Sequence, residues 1–272
     1  MATTRVPILT YHGNNINGLE YTNNDLVAFQ ADLQLIDAIG WRIITMDQLL
    51  AWYAGQLPDE AVKQAVVLTC DDGTWFDYHD LDHPSYGPQK SLFTLLKNHQ
   101  LTTGKQVHMT NFVIVSPEAR KRLDQLCLVG RGWWGDDWWQ SAQQSGLMSI
   151  ANHSWDHNHG VLDNNNHSDD SFADIADEAS CDQQIKQAQL YLQEKMGIGF
   201  NCPYFAYPYG NYSDYLHQKY LPQKARELGL MAAFTTRKDL VSRDTDRWAM
   251  PRLVCNYHWN STTQLADLLQ GK

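Results

Sequence analysis

Paired cysteines are missing from this 272-residue chain. Its five, Cys70, Cys127, Cys181, Cys202 and Cys255, stand far apart and form no C-x-x-C motif, which argues against a zinc ribbon or a dithiol redox centre. An odd count of isolated thiols suits a reducing compartment, where such residues act as small hydrophobes. Basic charge is scarce too. Lys and Arg number 21 against 31 Asp and Glu, a net charge of −10, so a broad electrostatic grip on nucleic acid or anionic lipid is not expected. No apolar run is long enough to span a bilayer, which argues against membrane insertion. No signal-peptide core precedes Val6-Pro7-Ile8-Leu9. As written, the chain reads as cytoplasmic; a leader removed beforehand would place it outside the cytoplasm and leave the same text. Neither an internal repeat nor a linker is evident, and residues 1–272 are read as one domain.

What the chain does have is an ordinary globular balance, 43% hydrophobic and 19% charged, with ten Trp and thirteen Tyr. Aromatic rings are frequent in sugar clefts, where their apolar faces meet pyranose C–H faces, but they serve equally well in a core. Apolar runs alternate with helical patterns. Strands are expected at 6–10, 41–45, 65–70, 106–115, 149–151, 204–206, 231–235 and 252–255. Helices are expected from Asn23 or Asn24 to Gly40, at 47–53, 91–99, 172–196 and 214–228, and again from Ser261. Residues 163–170, rich in Asn and Asp, read as a solvent loop. Strand–helix alternation argues for parallel β/α units, and the simplest architecture is a single distorted (β/α) barrel of about seven strands.

In such a barrel the chemistry gathers where strands end. Asp71-Asp72 closes the run Ala65–Cys70 and leads into Gly73; His153 and His157 follow the strand at 149–151; Tyr207-Pro208-Tyr209-Gly210 follows 204–206; His12 follows the first strand. One carboxylate and two imidazoles suit a divalent metal, and a second carboxylate beside them suits a base in metal-assisted hydrolysis. Each piece has a bland alternative. Asp-Asp-Gly is also turn chemistry, and His153–His157, whose imidazoles share a face in a helix or converge in a tight loop, is also read as a plain polar surface loop. Trp133-Trp134-Gly135-Asp136-Asp137-Trp138-Trp139 could floor a cleft or pack an insertion onto the barrel.

Three segments resemble a known family. Thr69-Cys70-Asp71-Asp72-Gly73 is similar to the first motif of the polysaccharide deacetylases (the NodB-homology carbohydrate esterases), usually Thr-Phe-Asp-Asp-Gly. His153-Ser154-Trp155-Asp156-His157 matches their His-Ser/Thr-x-x-His motif, and Phe205–Gly210 resembles their Arg-x-Pro-Tyr-Gly turn. The Tyr-Pro-Tyr-Gly form and the opening Leu9-Thr10-Tyr11-His12 are nearest the poly-N-acetylglucosamine branch.

The resemblance implies a deacetylase-like catalytic domain acting on a saccharide substrate, with one divalent ion, zinc first and Co2+, Ni2+ or Fe2+ as alternatives. Asp72, His153 and His157 would be its ligands, Asp71 the general base, the Tyr209 backbone N–H an oxyanion donor and His12 the acid. His258 is the rival acid. Ala206 stands where many members carry Arg, and Arg252 is the candidate replacement because its strand could neighbour the first in a closed barrel. The expected activity is hydrolytic N-deacetylation of a sugar or polysaccharide. A non-sugar amide, an O-acetyl ester, or saccharide binding by an idle site are alternatives. Oligomeric state is left open.

Overall fold

The computed structural model describes residues 4–162 and 171–271; the loop expected at 163–170 lies outside them. Among the described residues ten strands follow one another: β1 (Ile8–Tyr11), β2 (Arg42–Ile44), β3 (Ala65–Asp72), β4 (Leu81–His83), β5 (Gly87–Gln89), β6 (Met109–Val113), β7 (Met148–Asn152), β8 (Tyr204–Ala206), β9 (Ala232–Phe234) and β10 (Leu253–Val254). Eight form one sheet in the order β10-β1-β3-β6-β7-β8-β9, with β2 also on β3, and every pairing in it is parallel. Helices cover the outside, as parallel connections require. The seven-strand path curls into a half-barrel. Beyond β9 the chain doubles back: Met250 exchanges hydrogen bonds with Ala233 and Thr235, and β10 then pairs with β1. This is the distorted (β/α) barrel expected of the alternation.

Local chemistry sets most boundaries. Asn24 caps the helix Asp25–Ala38 through the N–H groups of Leu26 and Val27, and Thr45 and Ser91 cap Met46–Tyr53 and Leu92–Thr103. The helix expected from Phe172 starts only at Glu178. Phe172 and Ile175 are spent on a buried apolar cluster, and Asp177 caps the Ser180 N–H. The helix over 214–228 carries a wide π turn at Leu216–Tyr220, just before Pro222, whose missing N–H breaks the regular ladder. The antiparallel hairpin β4–β5 was not expected, because three-residue strands containing Pro88 and Gly87 have no readable period.

A buried polar clamp ties the chain ends across the barrel. Asp32 accepts hydrogen bonds from Tyr11 Oη at 2.9 Å, Tyr21 Oη at 2.5 Å and Trp259 Nε1 at 3.1 Å. It thereby joins β1, the first helix and the turn before the last helix, Thr262–Gln270. Burial raises its carboxyl to about 6 although the three donors pull the other way. Between an ordinary value near ~4 and the folded value, the folded state keeps a proton that the unfolded chain has lost, so stability falls as pH rises through that window. Asp32→Ala is expected to cost at least about 2 kcal/mol by stranding the donors. Asp32→Asn, which cannot ionise, should remove the decline across that window in urea denaturation; an unchanged slope would rule the clamp out as its source.

Candidate active site

The site lies at the C-terminal ends of the parallel strands. Asp71 and Asp72 are the last residues of β3 rather than the loop after it. Along a regular strand their side chains would point to opposite faces. Asp72 has φ +79° and Gly73 φ +78°, and this left-handed step turns the second carboxylate into the same cleft as the first. Gly73 is required there: a Cβ would lie 2.6 Å from Val113 Cγ1. Asn14 Nδ2 donates to Asp72 Oδ2 at 3.3 Å, and Trp134 Nε1 donates to the Asp72 carbonyl at 3.0 Å.

His153 and His157 converge through a loop, not a helix. Ser154, His157 and Asn158 have φ of +71°, +66° and +47°. The turn is held by Asn152 Oδ1, which accepts the Ser154 N–H at 2.8 Å, and by Ser154 Oγ, which accepts the His157 N–H at 2.9 Å. The two rings sit 4.9 Å apart. His153 Nδ1 donates to the Ala206 carbonyl at 2.9 Å, which fixes the tautomer and leaves Nε2 open to the cleft. Ala206 therefore contributes its backbone to the site although it lacks the side chain expected at that position.

Asp72, His153 and His157 each present a ligand-type atom, all within 4.8 Å of one another. His153 Nε2 stands 3.8 Å from both Asp71 Oδ2 and Asp72 Oδ1, but His157 Nε2 pairs with Asp72 Oδ1 at 3.9 Å. Burial pulls both imidazoles below their ordinary values. In His157, the neighbouring His153 and His159 add to the shift; in His153, Asp71 and Asp72 oppose it. Neutral imidazole is the ligating form. One oxygen and two nitrogen donors within this span fit a late divalent cation.

Asp71 is engaged elsewhere. Arg252 Nη1 donates to Asp71 Oδ1 at 2.6 Å and Nη2 to Oδ2 at 2.8 Å, with both side chains buried. The guanidinium also reaches the Thr235 carbonyl at 3.3 Å and lies over the Phe112 ring. Burial alone would push Asp71 up; Arg252, then His153 and His12, override it and hold the carboxyl well below the usual carboxylate range.

His12 and Tyr209 line the same cleft of about 400 Å³, and His258 does not. His258 Nδ1 accepts the Val254 N–H at 2.8 Å and is spent on a turn. Burial pulls His12 down, but Asp72, Asp71 and Asp25 outweigh it and raise it. Tyr209, at φ +58°, packs its ring 4.4 Å from that of His157. Gly210 follows so closely on Thr236 that a Cβ would lie 1.9 Å from Oγ1. The tryptophan cluster packs rather than floors the cleft: Trp138 stacks on Tyr78, Trp139 carries the Arg120 guanidinium, and none of the four lines the cavity. Tyr257 and Asn14 had no signal in the sequence.

Removing one partner of a buried ion pair strands the other charge at a cost of roughly 3–5 kcal/mol. Arg252→Met is expected to lose that much in urea denaturation, and Asp71→Leu combined with Arg252→Met to recover most of it. A single-variant loss below ~1 kcal/mol would place the pair among those of surface strength.

A family model described as polysaccharide deacetylase matches residues 59–233, more than half of the chain. No curated protein is similar enough in sequence to match. Among solved structures, the Streptococcus pyogenes deacetylase PplD in complex with acetate is 20% identical with a TM-score of 0.67, over 98% of this chain and 99% of that one. IcaB from Ammonifex degensii is 20% identical with a TM-score of 0.63, over 98% and 97%. The BpsB deacetylase domain from Bordetella bronchiseptica is 18% identical with a TM-score of 0.63, over 93% and 96%. At these identities the likeness establishes the fold, while the family match supports a hydrolase acting on acetylated sugars. The chain belongs to the polysaccharide deacetylase family.

Proposed function

We propose that residues 1–272 form one catalytic domain, a metal-dependent deacetylase that removes acetyl groups from the nitrogen of an N-acetylated sugar or polysaccharide. The observation that carries this reading is the division of labour between adjacent carboxylates. Asp72 joins His153 and His157 in a ligand-type cluster, while Asp71 is held ionised by Arg252 beside it. Zinc is the first choice for the ion, with Co2+, Ni2+ or Fe2+ as alternatives. Among the described residues no helix is long and apolar enough to cross a membrane.

An amide resists hydrolysis because water is a weak nucleophile and an amine a poor leaving group. A divalent ion bound by Asp72, His153 and His157 would polarise the acetyl carbonyl and make water more acidic. Asp71 takes the proton of the attacking water. Its oxygens already accept from Arg252, yet each keeps a further lone pair. The Tyr209 backbone N–H is the proposed donor to the oxyanion. His12, whose charged form the surrounding carboxylates favour, is the proposed donor of a proton to the departing nitrogen. The products are acetate and a free amino sugar.

Acetate release from N-acetylglucosamine oligomers, set beside O-acetylated sugars and simple amides, tests the reaction. Turnover confined to esters or to non-sugar amides would end the sugar N-deacetylase reading, and no turnover with metal bound would favour an idle saccharide site. The roles of the aspartates are tested separately. Asp72→Asn and His153→Ala should lose the metal by elemental analysis. Asp71→Asn should keep it and lower kcat by about 10²–10⁴-fold. The reverse pattern would exchange the two roles. His12→Ala should keep the metal and lower kcat with little change in KM, whereas a loss of metal would make His12 a ligand.

A further inference from the structure

Of the described residues that line the cleft, only Tyr257 is mostly in solvent, at 78% exposure. An aromatic ring left in water forfeits the burial that normally justifies its size. The backbone that presents it is tightly tied. Asn256 adopts φ +59° and donates from Nδ2 to Asp25 Oδ1 at 2.9 Å, and its backbone N–H reaches the Trp259 carbonyl at 2.8 Å. Trp259 is buried and belongs to the Asp32 clamp. The His258 ring packs edge-on to Tyr257, 4.7 Å between centroids. Asp25 also accepts the His12 backbone N–H at 2.9 Å. One carboxylate thus fixes both the turn bearing Tyr257 and the segment bearing His12, where the sugar nitrogen would depart.

We infer that Tyr257 is the stacking platform for a second pyranose ring, the neighbour of the sugar whose acetyl group enters the cleft. This rests on the proposed deacetylation of a saccharide and deepens it: Tyr257 is the residue through which this chain would read the unit beside the acetylated one. The reason is chemical. A pyranose offers a flat C–H face that matches an aromatic face, and a ring whose backbone is already ordered loses little freedom on binding. Among the described residues, the rest of the lining is mostly Asp, His and tyrosines; it offers polar contacts to the acetamido sugar and no second ring as open as that of Tyr257.

The test compares the N-acetylglucosamine pentamer with the monomer on the metal-loaded wild type, Tyr257→Ala and Tyr257→Phe. The pentamer's advantage in kcat/KM should shrink about three- to tenfold in Tyr257→Ala, chiefly through KM, and persist in Tyr257→Phe. An unchanged advantage, or an equal loss on both substrates, overturns the platform while leaving deacetylation intact. If the wild type releases no acetate from either sugar, the failure belongs to the proposed reaction. Calorimetric titration with the same pentamer then decides the platform without turnover. Weaker binding in Tyr257→Ala but not Tyr257→Phe sustains it; equal affinity, or no binding by the wild type, overturns it.

Discussion

A buried, two-pronged ion pair between Arg252 and Asp71 is the constraint around which this barrel is closed. Arg252 enters at the start of β10, Asp71 stands at the end of β3, and β1 lies between those strands. Apolar residues would fill the same space at less cost, because two charges must be taken out of water. The pair is offset by geometry: two parallel N–H donors onto one carboxylate, a third onto the Thr235 carbonyl, and a guanidinium over Phe112. What the fold gains is a carboxylate that stays ionised and aimed in a dry setting, the state the proposed base requires.

Backbone strain is gathered around the same cleft. Asp72, Ser154, His157, Asn158 and Tyr209 all take positive φ without being glycine. Such conformations cost of order 1–3 kcal/mol each and persist only where the surroundings over-determine them. Here the surroundings are identifiable. Trp134 holds the Asp72 carbonyl, Val113 closes on Gly73, and Asn152 with Ser154 closes the histidine turn. The tryptophan-rich segment therefore serves the cleft from behind, by fixing a backbone carbonyl through Trp134.

The metal-type cluster was legible in the sequence because its parts are local. An apolar strand ending in Asp71-Asp72-Gly73, and a His-x-x-x-His segment after another strand, each place their side chains through short-range geometry. Helix starts at Asn24, Thr45 and Ser91 were equally local, since a capping side chain bonds within three residues. Shorter or interrupted elements were not legible. The β4–β5 hairpin has too few residues to show a period, and the delayed start at Glu178 reflects a tertiary demand on Phe172 and Ile175.

By itself, then, the sequence determined the parallel β/α architecture, the family likeness and the candidate ligands Asp72, His153 and His157. The sequence named His12, His258 and Arg252 as candidates to surround them, and tertiary structure decided among these. His12 and Arg252 lie outside the 59–233 segment that the family model matches, and they meet it because β10 pairs with β1 and β1 with β3. The same closure spends His258 on a turn and leaves Tyr257 open at the cleft. The physical reason is separation along the chain. Spacing and period report contacts within a few residues, whereas a contact such as that between Arg252 and Asp71, 181 residues apart, exists only once strand order has been settled by packing.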